Sequence, residues 1–191
     1  TIEGAANHAG TTPTKLRVDA GLAAAKVNVF LRNLVEQSGG VATVGTIEFE
    51  PNAVNVIPSK AVFTVDLRNP KKEKLDADEK ALAEYFKELE ETDKVKIITE
   101  RMTEFDPVLF DEEIVEKIEA AAEKRGLSTK SMTSGAGQDA QMLARICPTA
   151  MIFVPSVKGI SHNPEEYTPD ENVIEGANVF LDVVGELAGE K

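Results

Sequence analysis

Ala61-Val62-Phe63-Thr64-Val65-Asp66-Leu67-Arg68 sets apolar Phe63, Val65 and Leu67 against polar Thr64, Asp66 and Arg68 in strict alternation. Successive side chains of a strand point to opposite faces, so the stretch reads as a strand with one core face and one polar face. Working backward, a Pro/Asn loop separates it from a second strand at residues 42–49. Before that, Leu16, Ala20, Ala23, Val27, Phe30 or Leu31, and Leu34 form one apolar stripe, which predicts a long helix over residues 13–37, stopped by Gly39-Gly40. Working forward, Leu82, Phe86 and Leu89 mark an amphipathic helix over residues 76–91, and residues 95–102 read as a closing strand. With the opening segment counted as a strand, residues 1–105 have the order β-α-β-β-α-β, the split βαβ or ferredoxin-like order of an α+β domain.

Residues 106–191 read differently. Asp111 caps a helix carrying Ile114, Ile118 and Ala121 or Ala122, and Gly126 ends it. A short strand at 129–133, a helix at 139–145 and an apolar strand at 150–154 are expected next. The final helix carries Val173, Ala177, Phe180, Val184 and Leu187 at spacings of four and three. This is a partial α/β layer: two strands among three helices leave a sheet edge and an apolar face open. With a first residue that is not Met, the expectation is a piece of a larger protein, against the plainer alternative of a trimmed complete chain.

Of the 191 residues, 42% are hydrophobic and 28% charged, which is ordinary for a globular protein. The net charge of -12 argues against nucleic acid or an anionic membrane as partner, and no apolar run approaches the length of a membrane span. Cys147 is the only cysteine, so no internal disulfide forms; it reads as an inert core thiol, in keeping with a cytoplasmic location.

Chemistry concentrates in a few loops. The chain has two histidines, His8 and His162, both in segments rich in Gly, Ser, Thr and Pro. Histidine in a loop is a candidate for metal binding or proton exchange, against the plainer reading of a satisfied surface ring. Asn55, framed by Pro51 and Pro58, presents an amide suited to gripping a ligand, or serves as a turn residue bonded to its own backbone. Arg68 suits bidentate capture of a carboxylate, or pairs within the chain with a partner such as Asp66. Ser134-Gly135-Ala136-Gly137-Gln138-Asp139 is a small-residue loop opening a helix, where backbone N–H groups either hold an oxygen ligand or are simply capped.

Together these stretches resemble one family. Asn7-His8-Ala9-Gly10-Thr11-Thr12-Pro13 with Arg17 and Asp19-Ala20, Pro51-Asn52 with Asn55-Val56-Ile57-Pro58, Asp66-Leu67-Arg68, Ser134-Gly135-Ala136-Gly137 with Asp139-Ala140, and Ser161-His162-Asn163-Pro164-Glu165-Glu166 occur in one order through nearly the whole chain. The chain thereby resembles the M20 peptidase-like metal-dependent amidohydrolases, in the branch of N-carbamoyl-L-amino-acid hydrolase, allantoate amidohydrolase and β-ureidopropionase.

The resemblance implies a fold and a chemistry. Residues 1–105 correspond to a ferredoxin-like lid/dimerisation domain, and 106–191 to the C-terminal part of an α/β catalytic domain. The expected activity is hydrolysis of an N-carbamoyl or ureido C–N bond in a small substrate bearing a carboxylate, by a homodimer using a divalent metal pair (zinc, manganese, cobalt or nickel). His8 corresponds to the histidine that polarises the scissile carbonyl, and His162 to a metal ligand. Asn55 and Arg68 correspond to the carboxylate grip, and Gly137 and Gln138 to further substrate contacts. Gln138 departs from the histidine usual in the family and cannot carry charge. The other metal ligands and the general base belong to an N-terminal segment outside this sequence, so the chain alone is expected to be inactive. Two rival readings are a non-catalytic dimerisation or binding module and, among enzymes, an aminoacylase or dipeptidase relative.

Overall fold

A computed structural model describes residues 1–189, so residues 190–191, the end of the expected second domain, lie outside the described residues. The chain forms two compact units, Thr1–Pro107 and Val108 onward.

The first unit is built on a four-stranded antiparallel sheet of β3 (Val41–Glu50), β5 (Lys60–Arg68), β1 (Ile2–Glu3) and β6 (Lys96–Ile97), in that spatial order. Two helices, α1 (Ala20–Ser38) and α2 (Lys72–Thr92), pack on it. A separate two-stranded ladder joins β2 (Asn7–His8) to β4 (Val56–Ile57). Helix α1 begins at Ala20, later than residue 13. The Asp19 carboxylate accepts from the Leu22 N–H and fixes the start there, while Thr14–Leu16 form a separate 3₁₀ turn. Leu16, placed on the expected stripe, is exposed. Gly39 ends α1 at φ 81, the left-handed conformation that costs glycine least.

Ile2, Ala20, Ala23, Val27, Leu31, Ala61 and Leu89 form the core, with Phe63 and Val65 packed against it from β5. Strand β3 reaches this core on both sides of a register shift. Val44 lies opposite Val65 but Ile47 opposite Phe63, so Gly45 and Thr46 together face Thr64. That bulge reverses the side-chain parity of β3, which lets both Ala42 and Val44 before it and Phe49 after it join the core. The closing strand is two residues long, not eight, and residues 99–110 carry no strand or helix.

In the second unit α3 (Glu112–Lys124) is capped by Asp111 as expected, its carboxylate accepting from the Ile114 N–H. It packs on α5 (Asp170–Leu187), with Ala121, Ala122, Val179 and Val183 buried between them. The expected strands at 129–133 and 150–154 are absent among the described residues: neither segment has a strand partner. The apolar stripe of α5 is likewise not buried, Val173, Phe180, Val184 and Leu187 all being exposed. With Ile114, Ile118, Ala150, Met151, Ile152 and Val154 they line an open groove of about 550 Å³. Cys147, expected in the core, is exposed, because the segment around it is covered by no other element of this unit. No helix of the described residues is long and apolar enough to cross a membrane.

Candidate functional site

The β2–β4 ladder sets His8 opposite Val56 and Asn7 opposite Ile57, and the Ala9 N–H donates to the Asn55 carbonyl at 2.9 Å. The backbones at His8 and Asn55, far apart in sequence, are thereby neighbours. The Asn55 side-chain amide makes no hydrogen bond among the described residues, so it is not the self-bonded turn residue that asparagine commonly becomes.

His8 is held by its own turn. Its Nδ1 accepts from the Gly10 N–H at 3.0 Å and the Thr11 N–H at 3.2 Å. Its carbonyl accepts from the Thr12 N–H and, at 2.7 Å, from the Thr12 hydroxyl, and Thr12 is buried. A neutral imidazole has one donor and one acceptor nitrogen, so this arrangement puts the proton on Nε2. The exposed ring therefore offers an N–H donor, the polarity needed to stabilise developing negative charge on a carbonyl oxygen.

Arg68 lies elsewhere. The nine residues of β5, at roughly 3.3 Å per residue, put it about 26 Å from Lys60, the end from which the chain leads back to Asn55. The structure therefore does not bring Arg68 and Asn55 together within one copy. Arg68 occupies the polar face and pairs with Asp66, Nε donating to Oδ1 at 2.7 Å and Nη2 to Oδ2 at 2.5 Å. This hydrogen bond is the main reason that the Asp66 carboxyl is held below its ordinary range and the Arg68 guanidinium above its own.

The remaining candidates belong to the second unit. Gly137 and Gln138 are exposed and lead into the short helix α4 (Asp139–Leu143), with Gln138 in extended conformation at its start. His162 sits at φ 54, its backbone N–H donating to the Glu166 carboxylate at 2.9 Å. This left-handed backbone, uncommon outside glycine, re-aims the ring relative to an extended loop. For a divalent metal the donor set falls short. Among the described residues no three His, Cys, Asp or Glu side chains converge, whereas a protein metal site draws three or four. His162 could supply one ligand; the described residues do not make a site.

Sequence reasoning gave no role to Arg17, whose Nη2 donates to the Ala9 carbonyl at 2.6 Å and whose Nε donates to the Thr12 carbonyl at 3.0 Å. Its position between the histidine turn and the Asp19 cap was the available signal.

Residues 3–186 match the profile of the family described as Peptidase family M20/M25/M40. The N-carbamoyl-L-amino-acid amidohydrolase of Rhizobium meliloti is 40% identical over 190 residues, covering 98% of this chain and 46% of the relative. The allantoate amidohydrolase of Escherichia coli is 34% identical over 202 residues, covering 100% and 47%. The crystal structure of an amidase of the hydantoinase/carbamoylase family from Burkholderia multivorans superposes with a TM-score of 0.90 at 38% identity, over 95% of this chain and 45% of that one. The chain thus spans about half the length of the relatives it matches, and the α/β fold is that of the M20 peptidase-like proteins.

Proposed function

This chain belongs to peptidase family M20/M25/M40, and from that premise we propose that it forms part of a hydrolase that cleaves an N-carbamoyl or ureido C–N bond in a small substrate bearing a carboxylate. The observation that carries the reading is the His8 turn, a histidine at the end of β2 held as an Nε2–H donor beside the backbone of Asn55. The relatives named for N-carbamoyl amino acids and for allantoate support the ureido group as the target. In this reading residues 1–105 are a ferredoxin-like lid and dimerisation domain, a role favoured by the strand order of the first sheet. Residues 106–191 are the C-terminal part of the catalytic domain. The open apolar groove along α5 favours that assignment, because an uncovered face of this size calls for a further packed layer.

His8 donates its Nε2–H to the carbonyl oxygen as charge develops there. Asn55 and Arg68 bind the carboxylate, while Gly137 and Gln138 contact the substrate backbone or ureido group. Members of the family are generally dimetal-dependent, and we assign His162 as one ligand, with the others lying outside the described residues of this chain. The chain alone is then inactive.

The separation of Arg68 from Asn55 gives the proposal a definite assembly. One small substrate cannot span the length of β5, so one copy cannot supply both residues to it. Strand β3 is an edge of the sheet. Antiparallel pairing of two β3 edges across a two-fold axis would set the Arg68 end of one copy toward the Asn55 end of its partner. The proposed grip is therefore shared by two copies.

The test uses the complete hydrolase that contains this chain, assayed against N-carbamoyl amino acids, allantoate and dipeptides. Turnover of the ureido substrates with a kcat loss of about 10²–10³ for His8→Phe is expected, the range for removing one oxyanion donor. Preference for dipeptides would move the protein to the peptidase side of the family, and an undiminished kcat in His8→Phe would remove His8 from the chemistry.

A further inference from the structure

We propose that Arg17 is a positioning residue for His8: its guanidinium fork holds the turn at residues 9–12 so that two backbone N–H groups fix the imidazole in the Nε2–H form. The inference rests on the reading of His8 as the donor to a substrate carbonyl, and adds the residue that keeps the donor in place.

The argument begins with the turn. The N–H groups of Gly10, Thr11 and Thr12 all point back to His8, the first two to Nδ1 and the third to the carbonyl. When successive N–H groups converge on one side of a turn, their carbonyls are directed away from it. One of those carbonyls, on Ala9, accepts from Arg17 Nη2 at 2.6 Å, and the same side chain donates through Nε at 3.0 Å to the Thr12 carbonyl at the end of the turn. The guanidinium is planar and its N–H directions are fixed relative to one another, so bonding two carbonyls at once fixes the distance between them. A lysine ammonium reaching one carbonyl imposes no such distance. Arg17 is itself anchored, its N–H donating to the Thr14 carbonyl in the 3₁₀ turn directly before the capped start of α1. The 3₁₀ turn thus supports a fork, the fork supports the histidine turn, and that turn sets the imidazole.

A Cβ built on Gly10 would stand 3.3 Å from the His8 Cε1 and 3.5 Å from Nδ1, so the ring lies close against the turn. If the turn relaxed, both N–H bonds to Nδ1 would be lost. Either ring nitrogen could then carry the proton, and the direction of Nε2–H would no longer be set. Arg17 touches only backbone carbonyls in these bonds, so its effect passes through the turn and not through the ring.

The experiment is nuclear magnetic resonance of this chain with 15N-labelled histidine and uniformly labelled backbone. There are only two histidines, so His162→Gln assigns both rings. In the wild type His8 should show a single Nε2-protonated tautomer, with couplings across the hydrogen bonds from the Gly10 and Thr11 amides to Nδ1. In Arg17→Met both couplings should vanish, the ring should average between tautomers, and the Gly10 and Thr11 amides should exchange roughly fivefold to tenfold faster, as loss of one ordinary hydrogen bond gives. Amides elsewhere in the first unit should keep their positions, and Arg17→Lys should recover the pattern only in part. A wild type without the couplings, or an Arg17→Met variant that retains them with one tautomer, would overturn the proposal. Should Arg17→Met fail to fold, Arg17→Lys decides: it keeps the charge and loses the fork, and a wild-type pattern there refutes the role of the fork. All these readouts concern the resting chain, so they stand apart from the hydrolase reading, which the His8→Phe turnover assay tests separately.

Discussion

If the carboxylate grip is shared across a dimer, two crippled copies should restore one another. The perturbation is a pair of single variants of the complete hydrolase, Asn55→Ala and Arg68→Ala, prepared separately and then exchanged by mixing or made together in one cell. The reason lies in β5, whose nine residues hold Arg68 about 26 Å from the end that leads to Asn55, at roughly 3.3 Å per residue. Each variant alone removes hydrogen bonds to a charged group. The loss is about 1.5–3 kcal/mol, a fall in kcat/KM of roughly tenfold to over a hundredfold. In a mixed two-fold dimer one site receives both altered residues and the other receives neither. Random exchange makes about half of the dimers mixed, so about a quarter of all sites should be wild type, and kcat/KM should recover to about a quarter of the wild-type value. The assay is product release against the mixing ratio, with a maximum at equal amounts. If both residues act from one copy, every site in every dimer carries one lesion. Activity would then stay at the average of the two parents at all ratios, and the geometric reasoning would be wrong.

Two further outcomes follow from the first unit. Ile2 is fully buried in β1, between β5 and β6, and Ile2→Ala should destabilise the unit by about 2–5 kcal/mol, the range for truncating a core isoleucine. Urea unfolding followed by circular dichroism measures this, and a loss below about 1 kcal/mol would mean that the opening strand is not part of the core. The Asp66 carboxyl is lowered chiefly by its hydrogen bond from Arg68. A carboxyl lowered in the folded state adds stability above its unfolded pKa, and that stability is lost as pH falls through the folded value. Both side chains are about half exposed, so solvent screening keeps the contribution small. In Arg68→Ala the Asp66 carboxyl should return toward the ordinary carboxylate range and this acid-side component should disappear, read by magnetic resonance titration of its carboxyl carbon. Titration of wild-type Asp66 in the ordinary range would contradict the pairing.

Much of the architecture was legible in the chain, because the signals that define it are local. The alternation of residues 61–68 gave β5 its faces, Asp111 gave the start of α3, and Gly39 gave the end of α1. Each depends on side chains within a few residues of the backbone they act on. The start of α1 was misplaced for a related reason. Apolar spacing continues back to Leu16, but Asp19 accepts the Leu22 N–H and breaks the helix there, and a cap of this kind outweighs a continuing stripe. The motifs carried the family resemblance, and with it the candidate residues, without showing where they would lie relative to one another.

What remained closed to the sequence was decided by partners distant along the chain. The β3 bulge, which returns Phe49 to the core, exists only against Phe63 and Val65. Residues 7–8 become a strand only because residues 56–57 pair with them, and that ladder brings the backbone at His8 to that at Asn55. Residues 129–133 and 150–154 have the composition of strands, yet no partner in the described chain bonds their backbone. The same strand that joins Asn55 and Arg68 in sequence holds them apart in space. A helix closes its hydrogen bonds within its own segment, so its residues determine it directly. A strand leaves its N–H and C=O groups to be met from elsewhere, so the tertiary fold determines whether it forms and which side chains it brings together.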